Sequence, residues 1–340
     1  RSLNNLMALK AGAIRFNTDP MQMEIYDGNQ WTGILATSPE LQTGGGRGVF
    51  FSGAPSNNAA IDFINISTIG NAEDFGDLSG YRVQGAAAGS RTRGLYVGGE
   101  APSIVNTIEF ITFSSQGTDA QDFGDMVTNQ YRRMNGMGCG NQTRGLFSGG
   151  WTGSTTSNHI DYVTIAQTGN SVDFGDLSVN RESGSCCASQ TRGIIHGGRN
   201  QPANAALDSI DYVTISTLGD AADFGNLTDG RFAMQSCSNS IRGITFAGKV
   251  PSNSTIIDFI TMATLGDSTD FGDTIGAMEY PLGAVASPTR AVCGGGIVSP
   301  SNINTIQYVE IMSAGNTIDF GDLTGAKSEA SGCSNSHGGL

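Results

Sequence analysis

Six short segments of the chain alternate apolar and polar residues with a period of two. They begin with Ile61-Asp-Phe-Ile-Asn-Ile66 and recur over 108–113, 160–165, 210–215, 257–262 and 306–311. Each segment is rich in β-branched and aromatic residues, and this composition with this period is typical of a β-strand that buries one face. Because no segment has the apolar spacing of an amphipathic helix, the pattern predicts an all-β fold.

Two further landmarks recur in register with these segments. An Arg-Gly doublet, once Arg-Ala, precedes each alternating segment, and its arginine is Arg47, Arg93, Arg144, Arg192, Arg242 or Arg290. An Asp-Phe-Gly tripeptide follows each segment, and its phenylalanine is Phe75, Phe123, Phe174, Phe224, Phe271 or Phe320. The tripeptides are separated by 48, 51, 50, 47 and 49 residues. This fixed period indicates one supersecondary unit that is used six times.

Each repeat can be divided into four short strands. One strand follows the Arg-Gly doublet, the alternating segment is the next, and Asp-Phe-Gly-Asp-Leu is a third. A run of very small side chains, such as residues 85–90, forms the strand before the next doublet. Six such units predict a six-bladed β-propeller with four-stranded blades.

The two ends of the repeat region are complementary. The first repeat begins at Arg47 without a small-residue strand ahead of it, whereas residues 327–335 are a spare copy of that strand. We therefore expect the C-terminal strand to complete blade one, which leaves no open sheet edge. The predicted domains are an N-terminal β-meander and anchor over 1–40 and the propeller over 41–340, with repeats beginning near 47, 93, 144, 192, 242 and 290.

This arrangement resembles the Kelch family of propellers over about 290 residues. The shared feature is a strand that ends in a glycine pair, seen at 98–99, 149–150, 197–198 and, less cleanly, 294–295. The tryptophan typical of Kelch blades is absent, and we expect the phenylalanine of Asp-Phe-Gly to take its anchoring place. The first and fifth repeats also lack the glycine pair.

Composition and charge narrow the class of protein. Asp and Glu number 31 against 18 Lys and Arg, and the net charge of −13 with no basic cluster argues against a nucleic-acid partner. The 38% of hydrophobic residues, regularly spaced, can fill a core, which excludes a disordered chain. No apolar run approaches the roughly 18 residues of a membrane span, so membrane insertion is not expected. The first residues also lack the apolar core of a signal peptide.

Charged residues at repeat positions allow two interpretations. Five further basic residues recur alongside the Arg-Gly arginines, namely Arg82, Arg133, Arg181, Arg231 and Lys327. With the aspartates of Asp-Phe-Gly-Asp they indicate structural ion pairs and turns in which Asp accepts backbone hydrogen bonds. The alternative is calcium held by the acidic turns. The spacing matches no known calcium loop, so we favour the structural role and predict no metal.

The cysteines follow the same register. Cys139, Cys187, Cys237 and Cys333 each occupy the position five residues before a doublet in the repeat, where the other two repeats have Ala88 and Val285. A position that accepts Ala, Val or Cys is a small packing site. Cys186 and Cys187 are the only close pair, which does not suit zinc. Free buried thiols favour assembly inside a cell.

Enzyme chemistry is poorly represented. The three histidines are His159, His196 and His337, and none has a partner motif for a catalytic triad, a metal or a general base. Asp-Phe-Gly also holds magnesium in protein kinases, but six copies without the other kinase motifs exclude that class. We therefore predict no catalytic residues, no cofactor and no enzymatic activity.

The N-terminal segment stands outside the repeat. It contains Gly12-Ala-Ile-Arg-Phe-Asn-Thr18 and Tyr26-Asp-Gly-Asn-Gln-Trp31, with turns expected at 17–20 and 27–30. These residues resemble the short β-meander of tail-fibre and related structural proteins of tailed bacteriophages. That resemblance implies an assembly or receptor-binding role, other virion proteins as partners through residues 1–40, and a homotrimer. An ordinary three-stranded cap is the alternative.

Two functional classes follow. The first is a virion protein, assembled in the host cytoplasm, whose propeller binds host surface glycan or protein or decorates the capsid, neck or tail. The second is a secreted or cell-surface bacterial lectin or adhesin. Variable loops on a repeated scaffold are where binding surfaces arise. The candidate ligand-binding residues are Trp151, because a loop tryptophan beside hydroxyl groups suits sugar stacking, and the loop amides Asn158 and Asn200.

Overall fold

The structure, a computed structural model, describes residues 10–17, 22–34, 46–55, 59–100, 102–126, 137–201 and 203–340. The chain divides into two compact units, Arg1–Gln42 and Thr43–Leu340. In these described ranges the regular structure consists of β-strands, with no helix, which confirms the all-β class. No helix among them is long and apolar enough to cross a membrane.

The first unit is a three-stranded antiparallel meander. Its strands are β1 (Ile14–Asn17), β2 (Gln22–Tyr26) and β3 (Trp31–Ile34), paired in that order. The turn predicted after Tyr26 forms because the Oδ1 atom of Asp27 accepts hydrogen bonds from the amides of Asn29 and Gln30, each at 2.7 Å. Most of the turn predicted at 17–20 lies outside the described residues.

Six four-stranded antiparallel sheets make up the second unit, and we number them along the chain. Sheet 1 contains β31 (Gly332–Ser334), β4 (Arg47–Phe50), β5 (Ala60–Asn65) and β6 (Glu73–Asp77). Sheet 2 contains β7 (Ala86–Gly89), β8 (Arg93–Val97), β9 (Thr107–Thr112) and β10 (Gln121–Asp125). Sheet 3 contains β11 (Gly138–Gly140), β12 (Arg144–Ser148), β13 (Ser157–Thr164) and β14 (Val172–Arg181).

The other three sheets repeat this order. Sheet 4 contains β15 (Ser185–Ala188), β16 (Arg192–His196), β19 (Ser209–Thr214) and β20 (Ala222–Asn226). Sheet 5 contains β21 (Gln235–Ser238), β22 (Arg242–Phe246), β23 (Ser254–Thr261) and β24 (Thr269–Met278). Sheet 6 contains β25 (Gly283–Ala286), β26 (Arg290–Gly294), β29 (Thr305–Glu310) and β30 (Ile318–Asp322). Two short hairpins pair β17 (Arg199–Asn200) with β18 (Ala205–Ala206) and β27 (Ile297–Val298) with β28 (Ser301–Asn302).

The alternating segments are the third strands of these sheets, displaced slightly from their predicted bounds. In sheet 1 the predicted strand over 61–66 is observed as Ala60–Asn65. It ends one residue early because the carbonyl of Asn65 already accepts a turn hydrogen bond from the amide of Thr68 at 3.1 Å. Strands β13 and β23 begin earlier, at Ser157 and Ser254, because they are extended by pairing with β14 and β24.

The small-residue strands contact one another in a cyclic order. Strand β7 contacts β11, then β15, β21, β25 and β31 follow, and β31 contacts β7 again. The backbones approach so closely that a Cβ atom on Gly138 would lie 2.5 Å from the carbonyl oxygen of Ala87. This close approach favours small side chains, which explains why these strands consist of Gly, Ala, Ser, Cys and Val apart from Gln235 at the start of β21.

Both ends of the second unit contribute to sheet 1. Strand β31 pairs with β4 in antiparallel register, with Cys333 opposite Val49. The C-terminal strand thus completes the first sheet, as the spare repeat predicts. The apolar core lies between neighbouring sheets: one cluster combines Phe50 of sheet 1, Tyr96 of sheet 2 and Val292 of sheet 6.

The glycine pair marks a backbone conformation that all six sheets share. Two successive residues after the second strand have positive φ, as at Gly98 (63°) and Gly99 (95°). In sheet 6 this pair is Gly295 and Gly296, which corrects the expected 294–295. Sheets 1 and 5 adopt the same conformation with Ser52-Gly53 and Ala247-Gly248, so the first residue of the pair need not be glycine.

Candidate functional site

The Arg-Gly arginines join each sheet to the following one. The guanidinium of each lies 4.5–5.6 Å from the centre of an aromatic ring on the third strand of its own sheet, where the ring is Phe63, Phe110, Tyr162, Tyr212, Phe259 or Tyr308. Its Nη1 atom donates to a carbonyl of the following sheet, as from Arg93 to Ile165 at 3.0 Å. Arg290 of sheet 6 reaches Ile66 of sheet 1 at 3.2 Å, and Arg47 reaches Phe113 of sheet 2. These arginines therefore have a structural role.

The phenylalanine of each Asp-Phe-Gly packs on the other side of this arrangement. Its ring meets the same third-strand aromatic ring edge-on, at centroid distances of 5.8–6.1 Å in the six sheets. All six phenylalanines are buried. Edge-to-face contacts of this kind stabilise by about 0.5–1.5 kcal/mol beyond burial alone. An arginine, a ring and a phenylalanine thus form one packed unit per sheet.

The second set of basic residues forms buried ion pairs between sheets. Arg231 after sheet 4 pairs with Asp258 of sheet 5 at 2.6 Å, and Arg181 of sheet 3 pairs with Asp211 of sheet 4 at 3.0 Å. Lys327 pairs with Asp62 at 3.0 Å, and Arg82 pairs with Glu109. The predicted ion pairs form, but these acidic partners lie on the alternating strands and not in Asp-Phe-Gly. Arg133 lies outside the described residues.

The second aspartate or asparagine of Asp-Phe-Gly-Asp/Asn takes part in a turn cap. Its backbone amide donates to an Asn or Asp side chain in a turn of the following sheet, at 2.9–3.1 Å in all six sheets. Because these turn oxygens already accept backbone hydrogen bonds, the acidic turns have an evident structural use. Among the described residues, no three His, Cys, Asp or Glu side chains are grouped so as to hold a metal ion.

The candidate residues Trp151 and Asn200 are brought together by two neighbouring loops. Trp151 forms a β-bridge with Thr156 and is half-buried. The Thr156 hydroxyl donates to Oδ1 of Asn200 at 3.4 Å, and the Gln201 amide donates to the Thr156 hydroxyl at 3.4 Å. The loop of sheet 3 that carries Trp151 therefore contacts the β17–β18 hairpin of sheet 4 through the buried Thr156 side chain. We call these four residues the Trp151 surface.

Asn158 lies on β13, two residues beyond Thr156, and is half-buried. Hydroxyl groups are also close to Trp151 along its own loop, where Thr152 Oγ1 lies 3.4 Å from Ser154 Oγ and donates to the Thr155 carbonyl at 3.0 Å. A partly exposed indole with hydroxyl and amide groups around it can stack on a sugar face and hydrogen-bond its hydroxyls.

A small cavity lies among the innermost strands. Its volume is about 40 Å³, and Cys139, Cys186, Cys187, Cys237 and Cys333 line it together with small side chains. All six cysteines of the chain are buried free thiols, and burial raises the pKa of Cys187, Cys237, Cys293 and Cys333 above the ordinary thiol range. These four thiols are therefore protonated at neutral pH unless an electrophile or a metal ion displaces the proton.

The C-terminal residues cover one end of this cavity. The His337 Nε2–H donates to the Gly89 carbonyl at 2.8 Å, and its Nδ1 accepts from the Gly339 amide at 3.1 Å. The Gly338 amide donates to the Ser238 carbonyl at 2.7 Å. Burial lowers the pKa of His337 to about 4, so the ring is neutral at pH 7. The sequence pattern did not predict this cover, because Gly338 and Gly339 carry no periodic signal.

At the other end of the innermost strands, residues with positive φ join through their backbones. The amide of Gln84 donates to the carbonyl of Glu329 at 2.6 Å, Tyr280 donates to Ala233 at 2.8 Å, and Ala233 donates to Ser183 at 2.7 Å. The side chains of Gln84 and Glu329 are also hydrogen-bonded, at 2.8 Å. Burial raises the pKa of Tyr280, which keeps its phenol protonated.

A buried polar chain crosses from sheet 4 to sheet 5, and sequence reasoning missed it. The ring of His196 lies 3.4 Å from Cys187 Sγ through Nε2 and 3.0 Å from Thr245 Oγ1 through Nδ1. The Ser236 hydroxyl donates to Thr245 Oγ1 at 2.9 Å and lies 2.6 Å from Ser185 Oγ. Burial, and then the charges of Arg181 and Arg231, lower the pKa of His196 to about 3. One signal in the sequence could have indicated this polar chain: His196 stands at a position where the other repeats have Phe, Val, Ser or Gly.

Comparison with known proteins leaves this geometry as the main guide to function. No protein-family model matches the chain, and no curated protein is significantly similar to it.

Proposed function

We propose that residues 43–340 form a six-bladed β-propeller and that the protein is a non-enzymatic structural component of a bacteriophage particle. The propeller is supported by the cyclic contacts of the innermost strands and by the contacts that return from sheet 6 to sheet 1. The Asp322 amide, for example, donates to Oδ1 of Asn71 at 3.0 Å. A closed circle of sheets leaves its outer loops free to vary, which suits a binding or assembly module.

The observation that carries the viral assignment is the N-terminal meander. Its motif residues contact each other: Arg15 pairs with Glu24 at 2.8 Å and lies 4.2 Å from the centre of the Trp31 ring, against which Tyr26 also packs at 5.4 Å. Arg15, Tyr26 and Trp31 belong to the pattern that resembles the meander of phage tail-fibre proteins. The meander would bind other virion proteins, and the propeller would form the tail, neck, fibre or capsid-decorating part.

A non-enzymatic role agrees with how the repeated charged residues are used. The Arg-Gly arginines and the buried ion pairs connect sheets, and the buried ring of His196 and the half-buried ring of His337 are neutral. Catalysis by histidine needs a pKa near the working pH and access to a substrate. The Trp151 surface is the part that we assign to contact with host glycan or protein.

The test is quantitative mass spectrometry of purified particles, calibrated against the major capsid protein. Copy numbers in the hundreds indicate capsid decoration, and a few to tens indicate a tail, neck or fibre component. Absence from the particles would contradict the viral assignment and leave the secreted lectin or adhesin.

The Trp151 surface is tested with the same particles. Trp151→Ala should leave the copy number unchanged and slow adsorption to host cells at least tenfold, because the stacking face is removed. Val172→Ala in the same sheet, at a side chain that is 52% exposed, is the matched control and should adsorb normally. Normal adsorption of Trp151→Ala would exclude Trp151 from the host contact without affecting the viral assignment.

A further inference from the structure

Two sulfur atoms and an imidazole nitrogen lie close together in the buried junction between sheets 4 and 5. Cys187 on β15 and His196 on β16 come from sheet 4, and Met262, directly after β23, comes from sheet 5. The Sγ atom of Cys187 lies 3.4 Å from Nε2 of His196 and 3.9 Å from Sδ of Met262. The three side chains belong to residues that are only 1–3% exposed.

The repeat does not require these three residues together. Position for position, Met262 corresponds to Ile66, Phe113, Ile165, Ile215 and Ile311, and His196 corresponds to Phe51, Val97, Ser148, Phe246 and Gly294. The position of Cys187 is cysteine also at Cys139, Cys237 and Cys333, and alanine at Ala88. No other repeat places histidine or methionine at the other two positions, and a buried imidazole is costly unless its nitrogens have partners. The coincidence of thiol, imidazole and thioether thus calls for an explanation beyond packing.

We infer that Cys187, His196 and Met262 form a binding site for one copper(I) ion. Thiolate and thioether are soft ligands that select copper(I), imidazole also suits copper, and a set of all three is typical of copper sites. With bonds of about 2.3 Å to sulfur and about 2.0 Å to nitrogen, ligands of one ion lie roughly 3.6–4.0 Å apart. The separations of 3.4 and 3.9 Å need only a small adjustment.

The charge of the junction favours a monovalent ion. A copper(I) ion and one thiolate together are neutral, whereas a divalent ion would leave a net positive charge buried. The nearby charges of Arg181 and Arg231 are already balanced by Asp211 and Asp258, which leaves no spare carboxylate for a second positive charge. On binding, the Cys187 S–H proton passes to solvent as the Cu–S bond forms, and neither copper nor sulfur changes oxidation state.

Groups around the ligands hold the imidazole in a suitable orientation. Thr245 Oγ1 lies 3.0 Å from Nδ1 of His196, so an Nδ1–H tautomer would donate to it and leave the Nε2 lone pair directed towards Cys187. A hydrogen bond on the second nitrogen is the usual support of a metal-bound histidine. Entry is available through the 40 Å³ cavity, because Cys187 is one of its lining residues.

The inference is tested by anaerobic titration of the full chain with copper(I) against a coloured copper(I) chelator. Wild type should bind one ion in competition with the chelator. Cys187→Ala and Met262→Ile each introduce a side chain used at the equivalent position of another sheet, so both should fold. We expect at least a hundredfold loss of affinity for Cys187→Ala and about tenfold for Met262→Ile. The matched control Cys333→Ala, at the same position of sheet 1, should bind as wild type.

X-ray absorption at the copper edge gives an independent readout. The site requires one nitrogen and two sulfur ligands, and the nitrogen should disappear in His196→Phe, since Phe246 occupies the equivalent position in sheet 5. Unchanged affinity in Cys187→Ala, equal loss in Cys333→Ala, or a first shell of sulfur alone would each overturn the assignment. None of these outcomes depends on whether the protein is part of a virus particle.

Discussion

At the residue scale, different side chains perform the same task at equivalent positions. Asp258 of sheet 5 accepts from Arg231 at 2.6 Å and from the Thr228 hydroxyl at 2.7 Å. In sheet 6 the equivalent residue is Gln307, whose Oε1 accepts from the Ile275 amide at 2.9 Å and whose Nε2 lies 3.8 Å from Met278 Sδ. A buried Arg–Asp pair has thus been replaced by an uncharged Met–Gln pair on the same backbone.

This comparison predicts how the ion pair contributes to stability. Arg231→Met leaves the buried carboxylate of Asp258 without its cation and should lower the free energy of unfolding by about 3–5 kcal/mol. Adding Asp258→Gln reproduces the Met278–Gln307 arrangement and should restore most of this loss. Urea denaturation measures both variants.

Asp229→Asn, at an exposed position of the same turn, is the control for removing a negative charge and should change stability little. If the double variant is no more stable than Arg231→Met alone, the two junctions are not interchangeable, and the charged pair contributes more than its neutral replacement.

At the element scale, most of the strands are predictable from the sequence and most of the contacts between sheets are not. The β-branched and aromatic residues identify β5, β9 and their equivalents as strands, but burial does not follow the expected period of two, since four successive residues of β9, 108–111, are all buried. The stacking of Arg93 on Phe110 is not visible in the pattern, since no local signal reports which ring on a neighbouring strand an arginine will contact. The pairing of Cys187 with His196 also depends on a diagonal contact across two strands, which no local signal reports.

The glycine of Asp-Phe-Gly lies where two neighbouring sheets approach each other closely. Gly225 has a φ of 150° and lies in sheet 4, and its Cβ position is 2.4 Å from the Gly266 carbonyl oxygen of sheet 5. Gly219 has almost the same φ, 147°, but no atom lies within 4 Å of its Cβ position. Comparing substitutions at these two glycines therefore distinguishes the cost of an unfavourable φ from the cost of close approach between sheets.

Alanine at these two positions should give different losses. Gly219→Ala should cost about 1–3 kcal/mol of unfolding free energy, from the unfavourable φ alone. Gly225→Ala should cost a further 1–3 kcal/mol or so, because the two backbones must separate. Urea denaturation of the two variants compares them directly. Equal losses would mean that φ, and not the packing of sheet 4 on sheet 5, explains the repeated glycine.

At the scale of the whole molecule, the proposed propeller depends on contacts that join the two ends of the second unit. Strand β31 supplies the innermost strand of sheet 1, and Lys327 reaches Asp62 of the same sheet at 3.0 Å. The sequence predicts this closure because the missing strand and the spare strand are both visible in the repeat. The last residues, from His337 onwards, belong to no repeat. Only the structure reveals that they cover the small cavity among the innermost strands.

If β31 closes the propeller, two C-terminal truncations that end close together in the sequence should have very different effects. Ending the chain at Gly325 removes Lys327 and β31, leaves β4 with an unpaired edge and leaves Asp62 buried without its cation. We expect loss of the cooperative thermal transition and aggregation through the exposed edge. Ending the chain at Ser336 keeps β31 and removes only the cover of the cavity, so the transition should remain cooperative and shift modestly.

Thermal unfolding followed by near-ultraviolet circular dichroism, with hydrogen exchange resolved by sheet, distinguishes the outcomes. In a closed propeller the shorter chain should lose protection in sheets 1, 2 and 6 together, because β31 belongs to sheet 1 and packs on sheets 2 and 6. Protection lost in sheet 1 alone would mean that the sheets are stabilised independently, as in an open repeat array in which each unit depends only on its neighbours. Full protection in all six sheets would contradict closure by β31 altogether.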